Sequence, residues 1–310
     1  MKRVLITAIG GDIGQSIAQC LKNKYDDIYL FGTDVNDKHG GSLYVDEYIT
    51  IPAANDSLYL DCLKKLVSEN DIDVIIPVNE SELRVLANGP DNLKMIHCGK
   101  EIINIGLDKL KTMESLESFG IEVPWTIDAD KEMPKTYPCI IKPRSSSGSK
   151  SIFVINSEKE ANVFSSKFAG CVFQELLEPH DKELTCCLYR TKYGHVESIQ
   201  LERLLSGGLT RWAKVVNYKQ VEKLLYVIAN GWNLKGSLNV QLRLTDNRPM
   251  VFEINPRFSS TAYMRHELGF TDVIWSLKEF FDEPINLRSV ETGTIVVRTQ
   301  GVTILSGGLN

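Results

Sequence analysis

The sequence lacks several features that would place it in a specialised class of protein. It has no uninterrupted apolar run near the roughly 18–20 residues that a membrane-spanning helix needs. Basic residues do not predominate, because 35 Lys and Arg stand against 40 Asp and Glu, a formal net charge of −5. This balance argues against a general nucleic-acid-binding protein. The first apolar run, VLITAI, is short and is followed by glycines, so we interpret it as a β-strand and not as a signal peptide.

Cysteine and histidine are few and scattered. The seven cysteines and five histidines contain no CxxC pair and no cluster with the spacing of a zinc site. The cysteine count is odd, and the adjacent Cys186 and Cys187 would point to opposite faces of a strand. We therefore expect buried, reduced thiols, a cytoplasmic protein, and no metal site built on nitrogen or sulfur ligands.

The first hundred residues alternate apolar strands with amphipathic helices. A chain of 310 residues that is 43% hydrophobic and 24% charged is long enough for two or three globular domains. Alternation of this kind is typical of a parallel sheet with both faces covered. The predicted strands are 4–9, 28–34, 72–79 and 101–106, and one clear helix is 57–70. We predict an α/β, Rossmann-like N-terminal domain over residues 1–106.

The pattern changes after Gly106. A helix is predicted over 107–120, and short strands dominate from Tyr137 onward, as in an α+β fold. The last third is predicted to contain two helices, 219–231 and 271–282, and a hairpin over 237–258. We place two further domains at 107–175 and 176–310.

A glycine-rich turn, GGDIG (10–14), follows the first strand and opens a helix. This is the position of a phosphate-binding turn, and Asp34 ends the next strand where a dinucleotide-binding fold holds its ribose. However, the spacing puts Ala8 and Ile13 where the dinucleotide motif has glycines. We favour a tight turn with a strand-end carboxylate, and dinucleotide binding stays the alternative.

A lysine and a small flexible loop lie between two apolar strands in CIIKPRSSSGSKSIFVI (139–155). Backbone N–H groups of such a loop can cover phosphates while Lys142 supplies a positive charge. An ordinary turn rich in serine and glycine is the alternative.

The hairpin over 237–258 collects oxygen-bearing side chains. Centring its turn on Asn247 pairs Gln241 with Glu253 and Asn239 with Asn255, and alternation places all four on one face. The other face is apolar and consists of Val240, Leu242, Leu244, Met250, Phe252 and Ile254. Hard oxygen ligands suit Mg²⁺, which takes further ligands from phosphates and water. A solvent-exposed hairpin face is the alternative.

Two other segments offer candidate substrate contacts. In GGLTRWAK (207–214), Arg211 is a candidate ligand for a substrate carboxylate, or else a surface arginine. Asn79, Glu80 and Glu82 follow a parallel strand, at the edge where such sheets open their ligand crevice. They could equally cap the next helix.

In chain order, these segments resemble the ATP-grasp superfamily. The resemblance is nearest to a synthetase unit of the carbamoyl phosphate synthetase large subunit and to single-unit carboxylate–amine ligases, and it covers almost the whole chain. It implies a two-lobed ATP-grasp fold after the Rossmann-like domain. The segments that carry it are DK (108–109), IIKP (140–143), SSSGS (145–149), QELL (174–177), Glu183, NVQ (239–241) and EINPR (253–257).

The resemblance implies a role for each matching residue. Lys109 and Lys142 would contact phosphates, and Arg257 and Lys142 would act in phosphoryl transfer. The nucleotide would be held by a lid loop, an adenine hinge and a ribose-binding acid, which are Ser145, Ser146, Ser147, Gly148 and Ser149; Gln174, Glu175, Leu176 and Leu177; and Glu183. Gln241, Glu253 and Asn255 would bind two Mg²⁺ ions, or Mn²⁺ in their place, with Glu253 as the bridge.

The sequence departs from that family in three ways. The interval from Glu175 to Glu183 is one residue longer than usual, which weakens the assignment of Glu183. Carbamoyl phosphate synthetase has a second arginine where this chain has Ser260, and it has two such units where this chain has one. Carbamoyl phosphate synthesis is therefore disfavoured.

The expected activity is ATP-dependent ligation of a carboxylate to an amine or another nucleophile, through an acyl phosphate and with release of ADP and phosphate. The expected partners are ATP and a small carboxylate and amine, without nucleic acid or membrane, and a homodimer is left open. A non-catalytic ATP-binding sensor and a dinucleotide-dependent oxidoreductase remain as alternatives. The sequence does not identify the carboxylate or the amine.

Overall fold

A computed structural model describes residues 1–22, 25, 27–145, 152–179, 181–299, 301 and 303. The chain folds into two compact units. The first unit consists of Met1–His97, Leu209–Lys214 and Arg257–Asn310, and the second of Cys98–Gly208 and Val215–Pro256. Within the described residues, no helix is long and apolar enough to cross a membrane.

The strands and helices are numbered here in chain order. The strands are β1 Lys2–Ile6, β2 Ile28–Asp34, β3 Glu47–Thr50, β4 Val74–Ile76, β5 Thr126–Asp128, β6 Cys139–Pro143, β7 Phe153–Ile155, β8 Cys171–Glu175, β9 Glu183–Arg190, β10 Val196–Ser206, β11 Leu209–Val216, β12 Gly236–Thr245, β13 Arg248–Asn255 and β14 Ile295–Val297. The helices are α1 Asp12–Lys22, α2 Tyr59–Glu69, α3 Glu80–Ala87, α4 Lys100–Gly106, α5 Lys109–Ser118, α6 Glu158–Lys167, α7 Lys219–Gly231, α8 Ala262–Glu267 and α9 Asp272–Phe280.

The first unit contains the predicted parallel sheet, with strand order β3-β2-β1-β4. Successive side chains of a strand point to opposite faces, so each strand feeds two cores. Ile6 lies in the core that includes Ile17 of α1, whereas Leu5 lies in the core that includes Leu63 of α2. The prediction of a Rossmann-like sheet covered on both faces is confirmed.

One predicted strand of this region is wrong. Residues 101–106 form most of helix α4, and the fourth strand of the sheet is instead β3, which the sequence pattern did not indicate. Ile102 and Ile103 are both buried while Glu101 is exposed. A short apolar run fits a buried strand and one face of a buried helix equally well, so periodicity alone could not decide.

The second unit is built on antiparallel strands. One sheet has the order β5-β8-β6-β7, and its core includes Cys139, Ile141 and Phe173 together with Ala161 of α6. The other sheet places β13, β12, β9 and β10 side by side, with α7 packed against it. In the first unit, β11 pairs with β14 through Trp212 and Val297.

The hairpin of β12 and β13 has the predicted register at the four proposed site positions. Gln241 lies opposite Glu253, and Asn239 lies opposite Asn255. The turn is Asp246–Asn247, with φ values of 49° and 59°, so the pairing next to the turn is one residue out of the predicted alignment. A bulge beyond Gln241 restores it.

The predicted apolar face of this hairpin is wrong at Phe252, because of the bulge. Leu242 pairs with Val251, so Phe252 is the extra residue, and Val251 is fully buried in its place. The ring of Phe252 instead lies beneath two cations, 5.8 Å from Lys142 Nζ and 5.5 Å from the Arg243 guanidinium carbon. The bulge therefore turns an aromatic ring toward charged groups.

All seven cysteines are free, and six of them are buried. Burial raises the pKa of Cys98 and Cys186 to about 12, which keeps these thiols protonated. Inert, buried thiols are what the sequence pattern predicted.

A buried ion pair fixes the segment that follows β13. Arg265 and Asp272, at 0% and 1% side-chain exposure, are joined by two hydrogen bonds of 2.8 Å. The same guanidinium donates to the hydroxyls of Ser259 and Thr261, each at 2.9 Å. The pair thus holds residues 259–261, which come directly after the Arg257 region.

We expect Arg265→Met to lower the free energy of unfolding by about 3–5 kcal/mol, because Asp272 would stay buried without its partner. Urea denaturation followed by circular dichroism would measure the loss. The matched control is Lys65→Met, which removes an exposed pair with Glu69 (side chains 72% and 62% exposed) and should change stability by less than about 1 kcal/mol. Equal losses of unfolding free energy in both variants would contradict the conclusion that the buried pair of Arg265 with Asp272 stabilises the fold.

Candidate active site

Two lysines and a carboxylate meet in the second unit. Lys109 is the first residue of α5, which Asp108 caps by accepting from the backbone N–H groups of Leu110 and Lys111. Lys109 Nζ lies 3.9 Å from Glu253 Oε1. Lys142 projects from β6 and donates to the carbonyl of Phe252 at 3.2 Å. The predicted phosphate-binding lysines therefore lie beside the predicted metal-binding carboxylate.

Lys142 is perturbed by its surroundings. It is 4% exposed, and burial lowers its pKa to about 8. The neighbouring cations Lys109 and Arg243 act in the same direction, while Glu253 opposes them. A buried ammonium group among other cations gains stability when an anion is added.

Glu183, the predicted ribose-binding acid, lies between two arginines. Arg203 donates to Glu183 Oε1 through Nε at 3.0 Å and Nη2 at 2.6 Å, and Arg243 donates to Oε2 at 3.0 Å. Arg203 also donates to Gln241 Oε1 at 3.0 Å. Glu183 is thereby connected to the predicted metal-binding face.

The predicted adenine hinge ends strand β8. Gln174 is buried and donates to Thr126 Oγ1 at 2.8 Å, and the Glu175 carboxylate accepts from the backbone N–H of Trp125 at 3.3 Å. The carbonyl of Leu177 accepts from Arg243 at 2.7 Å. Leu176, between them, is partly buried. The hinge is thus tied on one side to β5 and on the other to Arg243.

The predicted metal ligands form a set of hard oxygen donors. The side-chain nitrogen of Asn255 donates to Asn239 Oδ1 at 3.4 Å. Asn239 in turn donates to Thr185 Oγ1 at 2.9 Å. Among the described residues, no group of three His, Cys, Asp or Glu side chains could hold a metal. One carboxylate and amide oxygens fit a Mg²⁺ ion that takes its other ligands from phosphate and water.

Arg257 belongs to the first unit and is held there by an acid. Its Nη2 donates to Glu80 Oε1 at 3.1 Å, and its Nη1 to the carbonyl of Phe258 at 3.1 Å. The two side chains of the pair are only 11% and 16% exposed. The sequence analysis left open whether Glu80 faces a substrate or caps a helix. In the structure it contacts the predicted catalytic arginine.

The other two candidate residues of this segment, Asn79 and Glu82, bond to the protein's own groups. Asn79 caps α3 by accepting from the N–H groups of Ser81 and Glu82. Glu82 is buried and accepts from Thr7 Oγ1 at 2.6 Å, and burial raises its pKa. These contacts favour the helix-cap interpretation for Asn79 and a buried hydrogen bond for Glu82.

The glycine-rich turn is filled by the protein's own groups. Asp34 accepts from Gly10 N at 2.9 Å and from Val35 N at 2.8 Å, so both carboxylate oxygens bind backbone. A Cβ on Gly14 would lie 2.7 Å from the carbonyl oxygen of Ala8. These contacts support the tight-turn interpretation over dinucleotide binding.

The remaining predicted residues are less informative. Arg211 is exposed on β11, and its carbonyl accepts from Arg298 N at 2.8 Å. Ser145 is exposed, and Ser146, Ser147, Gly148 and Ser149 lie outside the described residues. The role of the serine-rich loop stays a prediction.

The sequence analysis missed Arg203 and Arg243. The signal for Arg243 was available, since strand alternation puts it on the same face as Asn239 and Gln241. Arg203 lies on another strand, and its proximity depends on the pairing of β10 with β9. The two strands form a hairpin through the short turn 191–195, so the register of this hairpin was the available signal for Arg203.

Comparison with protein-family models gives two matches. A model described as an ATP-grasp domain matches residues 107–261, and one described as a PylC-like N-terminal domain matches residues 4–100. No curated protein sequence matches the chain.

Solved structures with a similar fold cover most of the chain. N5-carboxyaminoimidazole synthetase from Staphylococcus aureus, complexed with ADP, has a TM-score of 0.77 at 18% identity, over 94% of this chain and 80% of that one. The corresponding synthase from Aspergillus clavatus, in complex with ADP and 5-aminoimidazole ribonucleotide, has a TM-score of 0.76 at 16% identity, over 96% and 81%. L-amino acid ligase from Bacillus licheniformis has a TM-score of 0.73 at 17% identity, over 90% and 74%.

At these identities the structures show a shared fold. The family models carry the assignment, because the ATP-grasp model spans half of the 310 residues and the N-terminal model most of the rest. The chain therefore belongs to the ATP-grasp family.

Proposed function

We propose that the protein is an ATP-dependent carboxylate–amine ligase that forms an acyl phosphate and releases ADP and phosphate. The observation that carries the proposal is the continuous polar set in the second unit. It runs from the Leu177 carbonyl through Arg243, Glu183 and Arg203 to Gln241, which lies opposite Glu253. The ATP-grasp family match supports it.

The two lysines would bind the nucleotide phosphates. Lys109 lies near Glu253 and Lys142 near Phe252, so both cations flank the hairpin that carries the proposed metal ligands. Positive charge here would neutralise the β- and γ-phosphates and align the γ-phosphate for in-line attack by a carboxylate.

Glu253, Asn255 and Gln241 would hold Mg²⁺. The ion would supply charge neutralisation on the phosphate oxygens. Glu253 is the only carboxylate of this set, so it contributes most of the protein's negative charge toward the ion. Two ions, as the family resemblance implies, remain part of the proposal.

Arg257 would contact the transferred phosphoryl group and the acyl oxygen. A planar guanidinium can donate to both at once, which an ammonium group does less well. Its bond to Glu80 would hold the guanidinium in place.

The substrates would be a small carboxylate and an amine. Two solved neighbours are named as an L-amino acid ligase and as a synthase bound to 5-aminoimidazole ribonucleotide, and small-molecule ligation by this chain would be of the same kind. Arg211, exposed on β11, would contact a substrate carboxylate. We propose a cytoplasmic location.

The most direct test is an assay for ADP and phosphate release with pools of carboxylates and amines, in the presence of ATP and Mg²⁺. Hydroxylamine would be added in parallel, since it converts an acyl phosphate to a stable hydroxamate. We expect hydroxamate that depends on both ATP and a carboxylate. Tight ATP binding without turnover in any pool would favour the sensor alternative.

Glu253→Gln should remove activity and leave the fold intact. The change keeps the shape of the side chain but removes the carboxylate charge of the proposed metal site, so ligase turnover should fall by orders of magnitude. Thermal unfolding should be almost unchanged, because the apolar face of the hairpin is not altered.

Glu122→Gln is the matched control. Glu122 is an exposed carboxylate that pairs with Arg248 beside the turn of the same hairpin. It should keep wild-type turnover and Mg²⁺ dependence. Near-normal ligation by a folded Glu253→Gln protein would place the metal elsewhere.

ATP binding should weaken as the pH rises through about 8. Below that pH Lys142 carries its proton, and above it the free protein increasingly holds a neutral amine. Phosphates favour the charged form, so binding then requires uptake of a proton, and the Kd should rise by up to about tenfold per pH unit.

Isothermal titration calorimetry with ATP·Mg²⁺ between pH 7 and 9.5 would measure this dependence. Lys142→Met should bind more weakly at pH 7 and show a flat profile. The same slope in the variant as in the wild-type protein would mean that another group titrates.

A further inference from the structure

Glu183 is flanked by two cations on neighbouring strands. Strand β9 lies between β12 and β10, and Arg243 of β12 is directly opposite Glu183 in the register. On the other side, Glu202 of β10 pairs with Leu184, so Arg203 comes next to Glu183. Opposite charges in cross-strand positions attract each other.

The contacts hold the carboxylate firmly. Arg203 makes two hydrogen bonds to Oε1, and Arg243 makes one to Oε2. The three side chains are only 8%, 13% and 15% exposed for Arg203, Arg243 and Glu183. Charge-assisted bonds at low exposure fix the orientation of a carboxylate far better than solvent does.

Each arginine also has a second attachment. Arg243 donates to the carbonyl of Leu177 at 2.7 Å, and Arg203 donates to Gln241 Oε1 at 3.0 Å. Arg243 therefore bridges the hinge and the acid directly. The segment from Glu175 to Glu183 is one residue longer than is usual in the family. Because Arg243 bonds both Leu177 and Glu183, it ties the hinge to the acid across this longer segment.

We propose that Arg203 and Arg243 are positioning residues that clamp Glu183 to accept hydrogen bonds from the ribose hydroxyls, and so make the site specific for a ribonucleotide. The proposal rests on the proposed ATP-dependent function. A carboxylate has lone pairs beyond those used by three N–H donors, and a fixed one can accept an O–H from the sugar. A site built to bind a hydroxyl rejects an analogue that lacks it.

A purely structural network would behave differently. Removing either arginine would then lower stability and weaken all nucleotides alike. A clamp for the sugar predicts that the ratio of the Kd values for 2′-deoxy-ATP and ATP falls, because a mobile carboxylate no longer distinguishes the two.

The experiment measures this ratio by isothermal titration calorimetry for wild type, Arg243→Met, Arg203→Met and Glu183→Gln, with Mg²⁺ present. The wild-type protein should bind ATP at least tenfold more tightly than 2′-deoxy-ATP. Each variant should reduce that ratio at least fivefold. Arg243→Lys keeps the charge but cannot bridge Leu177 and Glu183 in the same way, and should give an intermediate ratio.

Arg190→Met is the matched control. Arg190 lies at the other end of β9 and donates to the carbonyl of Leu234 at 3.1 Å, so it is a structural arginine of the same strand. It should lower the melting temperature and leave the nucleotide ratio unchanged.

Three results would overturn the clamp. One is a folded Arg243→Met protein with the wild-type ratio; if that variant does not fold, the same result for Glu183→Gln serves. Another is a fall of the ratio in Arg190→Met equal to that in Arg243→Met. The last is wild-type protein that binds ATP and 2′-deoxy-ATP equally, which would leave the ligase proposal standing. Wild-type protein that binds no ATP at all would refute both proposals.

Discussion

An excess of buried positive charge is the constraint on which the second unit depends. Four cations surround two carboxylates, and none of the six side chains is more than 25% exposed. They are Lys109, Lys142, Arg203 and Arg243, with Glu183 and Glu253. Like charges held at low exposure repel each other. Burial is the main cause of the lowered pKa of Lys142, and the neighbouring cations Lys109 and Arg243 lower it further. A polyanion relieves this repulsion, so the cluster is suited to a triphosphate before any particular contact is considered.

Strand geometry brings these charges together from distant parts of the sequence. Each comes from a different element: α5, β6, β9, β10, β12 and β13 contribute one residue apiece. Glu183 meets its arginines because β9 lies between β12 and β10. The bulge at Phe252 matters as well, since its carbonyl accepts from Lys142 and its ring lies beneath Lys142 and Arg243. A regular hairpin would have paired Phe252 and lost this arrangement.

How much the sequence could predict follows from these same elements. The pairs Gln241–Glu253 and Asn239–Asn255 were predicted correctly because two one-residue effects cancel, a turn at Asp246–Asn247 and the bulge. Alternation along β12 was sufficient to place Arg243 on the site face. Arg203 was also within reach of sequence reasoning, because β9 and β10 form a hairpin through the short turn 191–195, and its register places Arg203 beside Glu183. The strand predicted over 101–106 was wrong because two adjacent isoleucines are buried in either structure.

In the first unit, Arg257 and Arg265 are each paired with one carboxylate. Arg257 and Glu80 neutralise each other at low exposure, so a substrate that displaced Glu80 entirely would leave a carboxylate buried and unpaired, at a cost of several kcal/mol. In the proposed reaction, keeping the bond between Arg257 and Glu80 avoids that cost. A lysine at this position would have to divide one ammonium group between Glu80 and a phosphoryl oxygen. The buried pair of Arg265 with Asp272 also binds the hydroxyls of Ser259 and Thr261, so the segment just after Arg257 is held by a second buried ion pair.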